Sequence, residues 1–256
     1  MSLVIAVAGK GGTGKTTFSA LLVRELIKAD LRPVLAVDAD PNSNLAEALG
    51  VERGKTLADI REKGSGPEGS PPGGVGRIRA VEDELQRSVV EAEGFDLVTM
   101  GRPEGPRCYC AVNTLLRKTL DDLNRNYKAV VLDNEAGMEH LSRRTTTNVD
   151  FLIAVMDPTN PALRAVRRIL ELSRELPIQV AKRAVLLNRA RAARTGDGVL
   201  EELEKIGPDV GRLPDVPQDD AVERAGADGR DVFSLDAGTA ALKAVRKVVQ
   251  KLSAGG

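Results

Sequence analysis

Leu3-Val4-Ile5-Ala6-Val7-Ala8-Gly9-Lys10-Gly11-Gly12-Thr13-Gly14-Lys15-Thr16 is the most informative segment of this sequence for its architecture. Its first residues, Leu3–Ala8, are all apolar, which is typical of a strand covered on both faces of a sheet. A glycine-rich turn follows, and a helical pattern begins at about Lys15. Because such a turn presents backbone N–H groups at the positive end of a helix, the stretch predicts a phosphate-binding site.

The residues Gly9-x-x-x-x-Gly14-Lys15-Thr16 match the P-loop pattern. In that pattern the lysine reaches the β- and γ-phosphates and the hydroxyl of the following residue holds Mg²⁺. We therefore predict a hydrolase that binds Mg-ATP, with Lys15 as a catalytic residue. The predicted nucleotide-binding residues of the loop are Gly11, Gly12, Thr13, Gly14, Lys15, Thr16 and Thr17. A plain strand-to-helix glycine turn is the alternative.

The composition fits one globular domain. The chain has 256 residues, of which 42% are hydrophobic, and we expect residues 1–256 to form a single P-loop ATPase domain. Its 37 basic and 37 acidic residues leave no charge excess, so we expect neither nucleic acid binding nor a stable membrane association. The first apolar run has no basic leader and is too short to span a membrane, which favours a cytoplasmic protein.

Apolar runs typical of strands alternate with helical patterns along the chain. The strand-like runs are Leu3–Ala8, Pro33–Val37, Phe95–Met100, Ala129–Leu132, Phe151–Val155 and Arg183–Leu187. Helical patterns fall near Lys15–Ala29, Ala111–Asn124, Pro161–Leu176, Val199–Lys205 and Gly238–Leu252. This alternation predicts an α/β fold with a doubly wound, mostly parallel sheet flanked by helices. The Gly- and Pro-rich stretch at 64–76 interrupts it, and we expect a flexible surface loop there.

Carboxylates follow two of the predicted strands. Asp38 and Asp40 stand two residues apart at the end of one strand, so their side chains share a face. One of them can orient Mg²⁺ through water while the other positions the attacking water, although capping of the next helix is an equal alternative on spacing alone. Asp133 ends another apolar strand, as a Walker B aspartate that holds Mg²⁺ through water does. Gly137, just beyond it, can approach the γ-phosphate.

Two later segments are candidates for contact with the base. Asn188 ends the strand-like run Arg183–Leu187, and its amide can read a base edge. Pro217 and Asp219 lie in a loop after the last strand. A simple turn is the alternative for each segment.

Cys108 and Cys110 are the chain's two cysteines. In extended geometry their side chains point the same way with Cα atoms about 7 Å apart, which strains a disulfide but suits two thiolates on one metal ion. Two thiolates do not complete a four-coordinate site, whereas a symmetric homodimer supplies four. We predict a soft or borderline divalent metal ion at this pair, on a dimer axis. Two small buried hydrophobic side chains are the alternative.

The loop Lys10-Gly11-Gly12-Thr13-Gly14-Lys15-Thr16 resembles that of the deviant Walker A group, which includes MinD, ParA and the nitrogenase iron protein. The resemblance implies that Lys10 is catalytic in trans, crossing a dimer interface to the partner's nucleotide. It also implies that Asp40 handles the attacking water, that Asp38 lies nearer the Mg²⁺, and that Asn188 and the loop holding Pro217 and Asp219 line the adenine pocket.

Residues 133–144, beginning Asp133-Asn134-Glu135-Ala136-Gly137, resemble the switch II segment of the CooC family of carbon monoxide dehydrogenase nickel-insertion proteins. The pair Cys108 and Cys110 resembles that family's metal-binding motif, which implies Ni²⁺ or Zn²⁺ at this pair. The resemblance runs from residue 3 to about 250. It implies an ATPase that cycles between ATP and ADP, forms a homodimer with ATP or metal, and delivers nickel to carbon monoxide dehydrogenase or a related nickel enzyme. The stretch 64–76 departs from the family. His140, the only histidine, is interpreted as a surface or packing residue.

Two other functions compete with metal delivery. A MinD/ParA-type positioning ATPase needs a membrane helix or a DNA-binding face, and the last predicted helix is amphipathic, with Leu242 and Val245 opposite Lys243 and Lys247. The same pattern is typical of a final helix packed on the sheet, and this is the interpretation that we favour. An iron–sulfur protein is the second alternative, but its usual cysteine spacings are absent from this sequence.

Overall fold

The computed structural model describes residues 2–40, 42–64, 83–84, 86–101, 126–134, 148–175, 178–190 and 197–254. Several predictions fall outside these ranges: Cys108 and Cys110, Gly137, His140, the helix at 111–124 and almost all of the loop at 64–76.

One sheet of eight strands organises the chain. The strands are β1 (Leu3–Gly9), β2 (Val34–Ala39), β3 (Val90–Ala92), β4 (Phe95–Thr99), β5 (Ala129–Asn134), β6 (Asn148–Met156), β7 (Gln179–Leu187) and β8 (Val210–Arg212). Their order across the sheet is β3-β4-β2-β5-β1-β6-β7-β8. Every neighbouring pair is parallel except β3 and β4. The predicted doubly wound, mostly parallel sheet is therefore confirmed.

Helices cover both faces of this sheet. They are α1 (Lys15–Lys28), α2 (Leu45–Leu49), α3 (Leu57–Gly64), α4 (Asn160–Glu175), α5 (Asp197–Glu204), α6 (Asp220–Ala227) and α7 (Ala240–Ala254), with a 3₁₀ turn at Val232–Ser234. One apolar cluster joins the sheet to α1, α2 and α7, and a second joins the opposite face to α3, α4 and α5. Strands buried on both faces explain why β1, β2 and β5 read as continuous apolar runs.

The final helix packs on the fold. Its apolar stripe, which includes Leu242, Val245, Val249 and Leu252, is at most 2% exposed and belongs to the same cluster as α1. The opposite face carries Lys243 and Lys247, which are exposed. The amphipathic pattern of this helix is thus accounted for by burial against the protein, and within the described residues no helix is long and apolar enough to cross a membrane.

The sheet also places the site. Since β1 has β5 on one side and β6 on the other, the loop after β1 opens at the carboxyl edge between two strands. In open α/β sheets this edge, at the point where the strand order reverses, is where ligands bind.

Candidate functional site

Glycines shape the loop between β1 and α1. Gly12 and Gly14 have φ values of +85° and +81°, in the left-handed region that favours glycine. A Cβ on Gly9 would lie 2.4 Å from the carbonyl oxygen of Val155 on β6, so only glycine fits where the loop leaves the sheet. The loop is closed by the Thr13 N–H, which donates to the carbonyl oxygen of Lys10 at 3.3 Å. The predicted P-loop residues therefore form one turn at the N-terminus of α1.

The two lysines of the loop differ in their surroundings. Lys15, the first residue of α1, is 7% exposed and lies close enough to Asp133 for its charge to lower the pKa of that carboxyl. Lys10 is exposed, and within the described ranges its ammonium group has no hydrogen bond or ion pair. Lys15 therefore lies inside the site, whereas the exposed ammonium group of Lys10 can bind a group outside it.

Asp38 and Asp133 stand side by side. The sheet pairs Asp38 on β2 with Asp133 on β5, and Asp133 with Val7 on β1, so these three residues lie at one level near the carboxyl ends of their strands. Both carboxyl groups are fully buried, at 0% exposure. Asp38 accepts backbone N–H bonds from Leu45 at 2.9 Å and Asp40 at 3.2 Å. The carboxylates predicted at two separate strand ends are therefore neighbours beside the P-loop.

Burial changes the acidity of this pair. It raises the pKa of Asp38 to about 7, against the two backbone N–H groups that stabilise its charge. It raises the pKa of Asp133 to about 6, against the hydroxyl of Thr16, the charge of Lys15 and the hydroxyl of Ser19. Two buried carboxyl groups held this close repel each other when both are ionised. A cation placed between them would relieve that cost.

The residues present fit a magnesium ion. Ser19 on α1 donates to Oδ1 of Asp133 at 3.0 Å, but Oδ2 of Asp133 is buried without a hydrogen-bond partner. A buried carboxylate oxygen without a partner is costly, so a metal-bound water donating to it is a natural occupant of that place. The half-buried hydroxyl of Thr16 lies on the first turn of α1. Carboxylate, hydroxyl and water oxygens are the ligands that Mg²⁺ prefers.

Asp40 lies just beyond the end of β2 and is half-buried. Its Oδ1 accepts both the backbone N–H and the side-chain amide of Asn42, each at 2.9 Å. This turn fixes the orientation of the carboxylate through one oxygen.

A cleft of about 340 Å³ adjoins the P-loop. Asn188, at the end of β7, lines it together with Gly14 and Pro217. The Nδ2 of Asn188 donates to the carbonyl oxygen of Thr13 at 2.9 Å, which ties the P-loop to β7 and leaves the amide's Oδ1 as the group that can read a base. Arg189 adds a bond from Nη1 to the carbonyl oxygen of Gly12 at 2.9 Å.

Asp219 lines the same cleft, but its carboxylate is occupied. Oδ1 accepts the N–H of Ala221 and Oδ2 accepts the N–H of Ala241, both at 3.0 Å. It therefore caps α6 and also fixes the start of α7. Sequence reasoning missed α6 and this double role, although Asp219 followed by Asp220 and Glu223 is a helix-start signal.

Ser19 is a further residue that the sequence analysis missed. It contacts Asp133 only because α1 crosses the carboxyl end of β5, a tertiary relationship with no signal in local sequence. Within the described residues there is no group of three or more His, Cys, Asp or Glu side chains that could hold a metal ion. Cys108, Cys110 and Gly137, predicted for the transferred metal and for switch II, lie outside those residues.

Comparisons with known proteins place this chain among nucleotide-binding proteins. Residues 4–232 match the family model described as the CobQ/CobB/MinD/ParA nucleotide binding domain. An uncharacterised ATP-binding protein of Methanocaldococcus jannaschii is 44% identical over 191 residues, 74% of this chain and 75% of that protein. The carbon monoxide dehydrogenase accessory protein CooC of Rhodospirillum rubrum is 32% identical over 243 residues, 90% of this chain and 89% of that protein. Among solved structures, the cell division ATPase MinD of Pyrococcus furiosus has a TM-score of 0.73 at 20% identity, with 100% of both chains covered.

Proposed function

Because the chain belongs to the CobQ/CobB/MinD/ParA nucleotide-binding family, we propose that it is an ATPase that binds Mg-ATP at the loop after β1. The observation that carries this proposal is the pair of buried carboxyl groups, Asp38 and Asp133, beside the buried Lys15. Such a concentration of desolvated charge at the carboxyl edge of a parallel sheet is expected at a site for a metal–phosphate complex.

Each residue then has a separate task. The backbone N–H groups of Gly11–Thr16 bind the phosphates, and Lys15 neutralises the β- and γ-oxygens. Thr16, Asp38 and Asp133 would hold Mg²⁺, which when bound neutralises charge that develops on the phosphate oxygens. Asp40 orients the attacking water, and the Oδ1 of Asn188 accepts a hydrogen bond from the exocyclic amino group of adenine. The same oxygen would repel the carbonyl oxygen of guanine at that position, so the site favours ATP over GTP.

Release of phosphate from ATP tests this proposal. Lys15→Ala should lower the rate by about 100-fold or more, because it removes a preorganised cation from the transferring phosphate. Lys28→Ala, at the exposed far end of the same helix, is the matched control and should keep the wild-type rate. Wild-type protein that neither binds nor hydrolyses ATP with Mg²⁺ would end the proposal.

We further propose that ATP hydrolysis drives delivery of nickel to an enzyme of the carbon monoxide dehydrogenase type. The support is the Rhodospirillum rubrum accessory protein, which matches across almost the whole of both chains. Nickel is here the cargo, held as a divalent ion by the thiolates of Cys108 and Cys110 from two subunits. Zinc occupies thiolate sites readily, so it is the metal expected to compete.

Metal stoichiometry tests the delivery function. Wild-type protein should bind one Ni²⁺ for about every two subunits, because a four-coordinate thiolate site needs two cysteine pairs. Cys108→Ser should abolish that binding and leave ATP hydrolysis intact. Equal metal content in wild-type and Cys108→Ser protein would contradict the proposed site.

A positioning ATPase of the MinD/ParA type is the second candidate. The likeness to the Pyrococcus furiosus structure favours it as far as the fold goes. Its sequence support was the amphipathic last helix, whose apolar face is covered by α1 and the sheet. Sedimentation with anionic liposomes in the presence of ATP separates the two functions, since strong binding would favour the positioning function.

A further inference from the structure

Arg24 is a buried cation with an unusual place in the fold. It lies in the third turn of α1 and is 6% exposed. Its Nη1 donates to the carbonyl oxygen of Val232 at 2.5 Å, and its Nη2 donates to that of Leu235 at 2.9 Å. One guanidinium group therefore satisfies both ends of the 3₁₀ turn, and such charge-assisted bonds are roughly twice as strong as neutral ones.

The two elements that Arg24 joins both line the cleft beside the P-loop. Thr17, Phe18 and Leu21 line it from α1, and Val232 and Leu235 line it from the turn. Val232 and Leu235 are the same two residues whose carbonyl oxygens Arg24 binds. The position of one element relative to the other thus depends on this side chain.

We infer that Arg24 is a positioning residue for the nucleoside part of the nucleotide, because it fixes the 3₁₀ turn against α1 and so sets the shape of the cleft that both elements line. The inference rests on the proposed function, in which the base and sugar occupy this cleft. The phosphates bind at the N-terminus of α1, on backbone N–H groups that Arg24 does not contact. Loss of Arg24 therefore weakens binding of the nucleoside and leaves binding of the phosphates unchanged.

A neighbouring arginine supplies a matched control. Glu25 is 2% exposed and accepts a hydrogen bond from Nε of Arg246 on α7 at 2.8 Å. Arg246 thus joins α1 to a second element, as Arg24 does, but does not line the cleft. Replacement of either arginine removes a charge-assisted hydrogen bond to a partly or fully buried group, so a general loss of stability is common to both variants.

Calorimetry with ADP, adenosine and inorganic pyrophosphate tests the inference. Arg24→Met should weaken ADP and adenosine binding by about tenfold, a loss of about 1.4 kcal/mol, and leave pyrophosphate binding within about twofold. In steady-state assays the same variant should raise KM for ATP and leave kcat unchanged. Arg246→Met should keep all three affinities. Arg24→Lys, which retains the charge but cannot span both carbonyl oxygens, should give an intermediate loss and serves if Arg24→Met does not fold.

The outcomes separate this inference from the proposed function. Wild-type protein that binds neither ADP nor pyrophosphate would overturn both. Normal wild-type binding with an equal loss for ADP and pyrophosphate in Arg24→Met would overturn the positioning role alone, as would unchanged ADP affinity in a folded Arg24→Met or Arg24→Lys protein.

Discussion

Asp133 carries a carboxyl group whose ionisation opposes folding when no cation is bound. Its pKa is raised from 3.8 to about 6 and that of Asp38 to about 7, both by burial. The folded protein therefore binds more protons than the unfolded chain between about pH 4 and pH 7, so the free energy of unfolding falls as the pH rises through that window. Each unit of raised pKa corresponds to about 1.4 kcal/mol.

We predict that Asp133→Asn weakens this pH dependence. Urea unfolding without nucleotide or Mg²⁺ should show that the wild type has a lower free energy of unfolding at pH 7.5 than at pH 5. In Asp133→Asn the difference between these two pH values should be smaller by about 1–3 kcal/mol. Asp30→Asn, which changes an exposed carboxylate, should behave as the wild type. An Asp133→Asn protein with the wild-type pH dependence would show that this carboxyl group is not the source.

The sequence predicts a site residue when its position relative to a strand or loop is enough to locate it in the fold. Lys15 follows the glycine loop and Asp38 and Asp133 end strands, so a parallel sheet necessarily brings them to one edge. Ser19 and Arg24 are different, because their partners lie more than 100 residues away. Nothing near them in sequence distinguishes them from other helix residues.

Among the elements, the turn between β1 and α1 is the one most constrained by backbone geometry. Gly14 has a φ of +81°, and a Cβ there would lie 2.5 Å from Nδ2 of Asn188. Gly11 has no positive φ and has open space around its Cβ direction. We predict that Gly14→Ala lowers the free energy of unfolding by at least about 1–2 kcal/mol, from left-handed strain and the displaced Asn188 bond.

Gly11→Ala is the control. Without nucleotide, its free energy of unfolding should lie within about 0.5 kcal/mol of the wild-type value. Urea unfolding measures both variants under the same conditions. Equal stability of the two would mean that the loop relaxes around the added methyl group, and that Asn188 does not hold it rigidly.

Within the described ranges, the three longest helices and the buried strands were predicted correctly, whereas β3, β8, α2, α3 and α6 were missed. The strands β1, β2 and β5 are buried on both faces and therefore leave continuous apolar runs. The edge strands β3 and β8 have three residues each and include Glu91 and Arg212, so they leave no run to detect. The helix α2, with five residues, is equally short. Pairing with a neighbouring strand, rather than local preference, places β3 and β8.

For the molecule as a whole, the doubly wound sheet follows from the alternation of strand and helix patterns, whereas its strand order does not. β1 lies between β5 and β6, and β5 separates β2 from β1. That order is decided by which apolar faces pack together across the sheet. It is also what places Asp38 beside Asp133, and hence what gives the site two buried carboxyl groups.

The assembly is tested most sharply by mixing two inactive variants. Lys10 is exposed and, among the described residues, its ammonium group has no hydrogen bond or ion pair, whereas Asp40 is half-buried and held by Asn42. If Lys10 serves the partner's nucleotide and Asp40 serves its own, Lys10→Ala and Asp40→Ala should each bind ATP but fail to hydrolyse it. In a mixed dimer, the site on the Lys10→Ala subunit has its own Asp40 and the intact Lys10 of its partner.

Mixing equal amounts should therefore restore about a quarter of the wild-type rate, because half of randomly paired symmetric dimers are mixed and one of their two sites is complete. The rate should rise with protein concentration, as a reaction that requires association does. Activity in Lys10→Ala alone would show that the lysine is not needed for hydrolysis. If the mixture stays inactive although native gels of a size-tagged variant show that subunits exchange, Lys10 and Asp40 must reach each site from the same subunit. That outcome would contradict a Lys10 acting in trans beside an Asp40 that serves its own nucleotide.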